Sequence, residues 1–287
     1  VSVYSQRHTR PGTIQTEPKA TVWIDEIKRG ETDETGELVI KPVKTGTRKL
    51  RVRAYGFKQV SKKLLARQRG MVKIPLVKTT NSSELAFQEG EKLLTENKAQ
   101  AIEQYKKAVK LNPRYAEAYV ALARALTGID NDEALGAIAK ARKARPRYPE
   151  ASAAEARIYR SDNDLDKAVE SFDRAIREGR GFQPEAHTGL GLIFKDDAAG
   201  AGASGDTEDE KYSYGEAAKS FEKAIEQLSA TEPVLYLLLG EVYEKMGDKK
   251  KAISVYNRFL KDFPDHEEKT AVESFIVQLN RTTIGDQ

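Results

Sequence analysis

One short phrase recurs five times between Ser82 and Pro264: an alanine, a bulky residue four on, and a small residue three further, usually closed by proline. The copies are Ala101, Tyr105, Ala108 and Pro113; Ala134, Ile138, Ala141 and Pro146; Ala168, Phe172 and Ala175; Ala217, Phe221 and Ala224; and Ala252, Tyr256, Phe259 and Pro264. Successive leading alanines stand 33, 34, 49 and 35 residues apart, a fixed period with one interruption. Steps of four and three keep side chains on one helix face, so the phrase predicts a buried helix side. The period leaves room for a second helix. In the last unit Tyr236, Leu239, Gly240 and Tyr243 mark the first helix, Gly247 and Asp248 turn the chain, and Ala252, Tyr256 and Phe259 mark the second. Helices whose axes approach to about 8 to 10 Å need a small residue at the crossing. Gly90, Ala123, Ala156, Gly191 and Gly240 hold that place in the five first helices.

This arrangement resembles the tetratricopeptide repeat family, whose period is about 34 residues. The resemblance implies an all-α superhelix of five helix pairs over residues 84–264, and it tolerates local departures. Arg180 and Ser229 stand where units three and four lack the closing proline, and Phe259 takes a place usually small. After Pro264, Asp265 to Glu268 reads as a capping box, followed by an apolar stripe of Val272, Phe275, Ile276 and Leu279. These features predict a capping helix over residues 265–281, with a tail at 282–287. The long interval places 14 extra residues in the turn of unit four. Their small, glycine-rich, acidic sequence from Asp196 to Glu210 predicts a flexible solvated loop, an insertion spanning residues 196–213.

The charge is divided along the chain. Residues 1–80 hold 18 Lys and Arg against 7 Asp and Glu, while the remainder holds 30 against 37. Opposite signs place a domain boundary at a linker of residues 80–83. From Thr21 to Lys78 apolar residues alternate with polar ones, as in Val22 and Ile24, Leu50 and Val52, and Val72 and Ile74, with turns at Gly30, Gly36, Gly46 and Gly56. The pattern predicts a small antiparallel β-sandwich over residues 16–79, preceded by a flexible arm of residues 1–15. The run from Gly30 through Thr32, Asp33, Gly36 and Leu38, then Gly46, Leu50 to Val52, Tyr55 and Gly56, resembles the carboxypeptidase regulatory-like and PEGA domains. That resemblance implies an exported bacterial protein, periplasmic or on the cell surface, and carries no catalytic residues. The opening at Val1 rather than methionine adds the expectation of a preceding segment. The fold class expected is therefore a multidomain α and β protein, a sandwich followed by a helical superhelix.

The basic surface of the sandwich includes Arg48, Lys49, Arg51, Arg53, Lys58, Lys62, Lys63, Arg67 and Arg69. Three readings stand open for it: a solvated face, contact with an anionic envelope polymer or lipid, and docking on the acidic half of the chain. Sparse aromatic residues there speak against specific nucleic-acid binding. In the repeats, positions counted from each small residue predict a concave groove. Arg124, Arg157, Arg160 and Lys195 form a basic strip along it, Glu241 and Glu244 lie beyond, and Phe87, Val120 and Leu237 add apolar surface. Such a strip would grip the carboxylates of an acidic peptide or a partner's carboxy-terminus. Chaperone-binding members of the family use asparagines in a carboxylate clamp, and Ala121 and Ala154 fill those positions here.

Enzyme signatures fail on context. Gly200 to Gly205 spells a dinucleotide fingerprint, but between two helices rather than between a strand and a helix. Asp162, Asp164 and Asp166 start like a calcium loop that lacks its glycine and distal glutamate. His8, His187 and His266 are scattered, cysteine is absent, and no apolar run reaches the roughly 18 residues of a membrane span. The expectation is a noncatalytic adaptor without metal or cofactor that binds a protein or peptide partner. The alternative is a polymer-binding sandwich spaced by the repeats.

Overall fold

A computed structural model describes residues 9–44, 47–65, 70–229 and 231–284, with the side chains of 9–11, 41–44 and 282–284 left undescribed. The chain divides into two compact units, residues 1–125 and 126–287.

Unit one begins with seven strands: β1 (Thr9–Gln15), β2 (Thr21–Ile24), β3 (Ile27–Glu31), β4 (Glu37–Lys44), β5 (Arg48–Arg53), β6 (Val60–Leu64) and β7 (Gly70–Lys73). They form one sheet ordered β4-β1-β7 and another ordered β3-β2-β5-β6. Alternation fills the space between them, because Ile14, Ile40 and Val72 from the first sheet share a buried cluster with Val22, Ile24, Leu50, Val52 and Leu64 from the second. The sandwich is as expected, with two corrections. Residues 9–15, placed in a flexible arm from sequence, form the central strand of the first sheet, and β1 pairs with β7 in parallel. Residues 1–8 of that arm lie outside the described residues.

The turn between β3 and β4 explains its own sequence. Thr32 Oγ1 accepts from the Ala20 amide at 2.8 Å and donates to the Glu17 carbonyl at 2.7 Å. Asp33 Oδ1 accepts from the amides of Thr35 and Glu37 and from the Thr35 hydroxyl, which holds its carboxyl below the usual range. A side chain at Gly36, where φ is +79°, would strike the Thr16 carbonyl oxygen at 2.0 Å.

Eleven helices follow among the described residues: α1 (Ser82–Leu93), α2 (Lys98–Leu111), α3 (Ala116–Leu126), α4 (Asn131–Ala144), α5 (Pro149–Ser161), α6 (Leu165–Glu178), α7 (Pro184–Ser204), α8 (Thr207–Leu228), α9 (Val234–Lys245), α10 (Lys249–Asp262) and α11 (Lys269–Ile284). Within the units α1 pairs with α2, α5 with α6, α7 with α8 and α9 with α10, the first helix starting two residues inside the expected linker. Most starts are fixed chemically: Asn81, Asn97, Asp130, Asp164, Asp206 and Asp248 each accept from an amide of the first turn. In the α1–α2, α7–α8 and α9–α10 pairs, the aromatic residue of the recurring phrase packs on the glycine of the first helix. A Cβ on Gly90 would sit 2.6 Å from Tyr105, and one on Gly240 would sit 2.2 Å from Tyr256.

The insertion in the fourth repeat is not a loop. It extends α7 to Ser204 and starts α8 at Thr207, so the flexible loop expected over residues 196–213 is corrected to a longer helical hairpin. Fourteen residues divide into about seven per limb, close to two turns of 3.6 residues, which preserves the facing register of both helices. Gly205 closes α7 at φ +82°, and Asp206 caps α8 by accepting from the Asp209 amide at 3.0 Å. Small residues let the limbs approach, since a Cβ on Gly202 would meet the Glu210 carboxylate at 2.8 Å. Between Ala198 and Ser213 almost every side chain is exposed. Replacing residues 199–212 by a Gly-Asp turn, which keeps the buried Ala198 and Ser213, should therefore shift stability by less than about 1 kcal/mol, read by thermal denaturation. A larger loss would show that the limbs hold the neighbouring repeats.

The capping helix forms, four residues later than expected. Asp265 does not cap it. Instead His266 Nδ1 accepts from the Glu268 amide at 3.1 Å, and helix α11 begins at Lys269. Val272 is fully buried against the α8 to α10 cluster, with Ile276 and Leu279 half-buried there and Phe275 stacked 5.7 Å from Tyr256.

Candidate functional site

Two first-helix faces carry the chemistry, one in each unit. In unit one, α1 presents Glu84, Phe87, Gln88 and Glu91 at positions i, i+3, i+4 and i+7, a single helical stripe. The whole stripe is engaged by the sandwich. Gln88 is buried, its Oε1 accepting from the Gly56 amide and its Nε2 donating to the Phe57 carbonyl, both at 2.8 Å. Glu84 accepts from the Gln59 amide at 3.0 Å and from the Thr79 hydroxyl at 2.7 Å.

Strand β5 completes the contact. Val52 and Leu50 point inward, so the pleat turns Arg51 and Arg53 outward toward the helices. Arg53 donates to Glu91 Oε2 at 2.8 Å and twice to Gln59 Oε1, at 3.0 and 2.6 Å, and lies 3.6 Å from Glu117 Oε2 on α3. Its guanidinium covers the Phe87 ring at 4.6 Å and the Trp23 ring at 5.3 Å. Arg51 lies 4.2 Å over Trp23 and bridges Glu26 at 2.9 Å and Glu117 at 3.6 Å. The side chain of Arg53 is 8% exposed and that of Arg51 13%, so neither belongs to a free basic surface. This corrects the sequence assignment for both residues.

The other predicted residues of unit one separate. Arg48 pairs with Asp25 at 3.1 Å and Lys49 with Glu26 at 2.6 Å. Lys62 and Lys63 are exposed on β6, while Arg67 and Arg69 lie outside the described residues. Phe87 and Val120, expected as groove surface, are buried at 3% and 4% exposure, Phe87 between Arg53 and the rings of Tyr105 and Tyr115. Arg124 on α3 is exposed.

Unit two holds the rest. Arg157 on α5 donates to Glu185 on α7 at 3.4 Å, Arg160 lies 3.9 Å from Asp196 on α7, and Lys195 lies 3.0 Å from Glu241 on α9. The part of the expected basic strip that lies here is thus a ladder in which Arg157, Arg160 and Lys195 each reach an acid on the following first helix. Exposed pairs of this kind contribute only about 0 to 1 kcal/mol each. Their effect is on the character of the face. Glu244 accepts from the Tyr256 hydroxyl at 2.5 Å, and Tyr256 is pushed up by burial first and by Glu244 second. Leu237 is half-buried.

A polar network fixes α5 behind this face. Ser152, fully buried, accepts from Arg142 of α4 at 2.5 Å and donates to Glu178 of α6 at 2.8 Å. Arg142 also reaches Glu178 at 2.9 Å, and Arg174 pairs with Glu155. His187 is half-buried and depressed by that burial, and Asp162 and Asp164 serve as a partner of Asn131 and a helix cap. No group of three metal-ligating residues occurs among the described residues.

One series of residues went unread in the sequence. Glu84, Glu117, Glu150 and Glu185 each stand six residues before the small residue of their helix, in the first turn. A period search for charge would have found them, although acids in a first turn are also what the helix dipole favours. The series gains weight from its partners, because Glu117 and Glu185 both receive arginine.

The comparisons agree with this architecture. Residues 235–266 match a family described as Tetratricopeptide repeat, residues 98–127 one described as TPR repeat, and residues 130–183 and 153–214 a further Tetratricopeptide repeat family. No curated protein matches the chain. Among solved structures, yeast Tom70 is similar at 20% identity and a TM-score of 0.56, over 71% of this chain and 41% of its own. The Thermus thermophilus protein TTC0263, titled a thermophilic TPR protein, is similar at 20% identity and a TM-score of 0.50, over 68% of this chain and 99% of its own. The APC/C hetero-tetramer Cut9-Hcn1 is similar at 15% identity and a TM-score of 0.52, over 71% of this chain and 37% of its own. This chain spans about two fifths of Tom70, and identities this low speak for the fold alone. Glycine-on-aromatic crossings at Gly90, Gly191 and Gly240, and repeat matches that reach from residue 98 to residue 266, make the chain a member of the tetratricopeptide repeat family.

Proposed function

We propose that the chain is a noncatalytic interaction scaffold that holds a carboxylate-bearing segment of a partner protein on the first-helix face of unit two. The observation that supports this is the state of Arg157 and Arg160. Their side chains are 55% and 37% exposed, and each reaches its acid through a single terminal nitrogen, Arg157 at 3.4 Å and Arg160 at 3.9 Å. A guanidinium has five donors in a fixed fork, so both retain donors for a second carboxylate. The partner is sought in the cell envelope, because the turn chemistry from Gly30 to Leu38 resembles modules of exported proteins. Recovery of the chain from cytosol alone would remove that part of the reading.

The test is the paired variant Arg157→Glu with Arg160→Glu, compared with Lys219→Glu on α8. Losing two charge-assisted contacts should weaken the partner at least about tenfold in a titration, while the α8 variant binds as wild type. Equal affinity in both variants would overturn the assignment of this face.

A further inference from the structure

In unit two, Arg157 stands one residue after the small residue of α5 and meets Glu185, the first-turn glutamate of α7. The equivalent positions between α1 and α3 are Glu91 and Glu117, both acidic. No cation of these two positions can neutralise the other, and like charges held together are unfavourable. The cations come from β5, with Arg53 touching both glutamates and Arg51 reaching Glu117.

We propose that the first-helix face of α1 and α3 is a recognition site for an extended strand bearing arginines at alternate positions, which strand β5 occupies in cis as a displaceable ligand. A strand projects residues i and i+2 on one side, so Arg51 and Arg53 reach the acids together while Val52 stays in the sandwich core. On the helix side Phe87 provides an aromatic face under the Arg53 guanidinium at 4.6 Å, a preference of arginine over lysine, while Arg51 is held flat by Trp23 of the adjoining strand β2. The contact is made by ion pairs, ring stacking and hydrogen bonds in which Gln88 and Glu84 accept from the Gly56 and Gln59 amides and Gln88 donates to the Phe57 carbonyl. Interfaces of that composition within a chain resemble transient ones and weaken with salt. The site goes beyond the scaffold reading above, which concerns Arg157 and Arg160.

The test adds a labelled peptide of the Arg48 to Gly56 sequence to full-length proteins and follows anisotropy. Wild type, with the site filled, should bind at least about tenfold more weakly than the Arg51→Gln, Arg53→Gln variant, and adding Glu91→Gln and Glu117→Gln to that variant should abolish the gain. No gain in the first variant, or a gain that survives loss of the glutamates, overturns the proposal. Should the variants not fold, hydrogen exchange on wild type decides. The Gly56 and Gln59 amides, which bond to Gln88 and Glu84 of α1, should exchange faster as salt rises, while amides of the β2–β5 ladder do not. Parallel behaviour of the two sets would mean a fixed cap and would refute displacement.

Discussion

Ending the chain at Pro264 removes α11 and lowers the melting temperature of the repeats by roughly 10 °C or more. The helix buries Val272 completely and Ile276 and Leu279 in part, while Phe275 covers Tyr256. Full burial of such a side chain is worth about 1.5 to 3 kcal/mol, so partial burial of four of them supports a loss of about 5 kcal/mol. In a domain of this size each kcal/mol corresponds to roughly 2 to 4 °C. His266 goes as well, and with it the edge contact to Phe259 at 5.3 Å. Because each repeat is stabilised by its neighbours, the damage should be local. Hydrogen exchange should show lost protection first in α9 and α10. A melting temperature within a few degrees of wild type would mean that α10 is self-sufficient.

The helices were legible because their residues are buried in a fixed order. Ala101, Tyr105 and Ala108 form one face, and each is fully buried in the structure. Position in the chain was therefore equivalent to position in the core. The hairpin of α7 and α8 was misread for the opposite reason. Composition from Asp196 to Glu210 describes solubility, whereas the number of inserted residues describes register, and about seven per limb keeps two helices facing. The start of α11 was misplaced because Asp265 and Glu268 satisfy a pattern that His266 meets in fact. Strand β1 hides behind Pro11 and Gly12, where its pairing with β4 shifts register.

The candidate sites were legible by residue type but not by pairing. Arg51 and Arg53 stood out as basic, yet their partners Glu91 and Glu117 lie 38 and 64 or more residues away. Only the fold brings them together. Along the sequence Arg157, Arg160 and Lys195 form a strip of one sign, because helical spacing alone relates them. Their acids sit on the next first helix, one period on, which a one-dimensional reading by domain charge averages away.

Replacing Gly240 by valine should cost about 3 kcal/mol or more, the second large effect expected. The Tyr256 ring lies where the new Cβ would stand, at 2.2 Å from Cε1 and 2.4 Å from Cζ, and overpacking of a filled core costs about 1 to 3 kcal/mol per site. Tyr256 cannot simply turn aside, since its hydroxyl donates to Glu244 and the Phe275 ring packs against its own at 5.7 Å. The cost is therefore specific to the pair. Tyr256→Leu in the Gly240→Ala background should recover at least about 1 kcal/mol of the alanine penalty, a coupling measurable by a double-mutant cycle in urea. Strict additivity would mean that the glycine serves backbone freedom instead. The ring rule holds elsewhere too, because Phe172 of the third repeat rests on Gly189 of the following helix, within 2.1 Å of a Cβ there, while Ala156 serves as the small residue of its own first helix. Glycine thus follows the aromatic ring from one helix to the next, and the ring, rather than the helix crossing alone, determines where a side chain is forbidden.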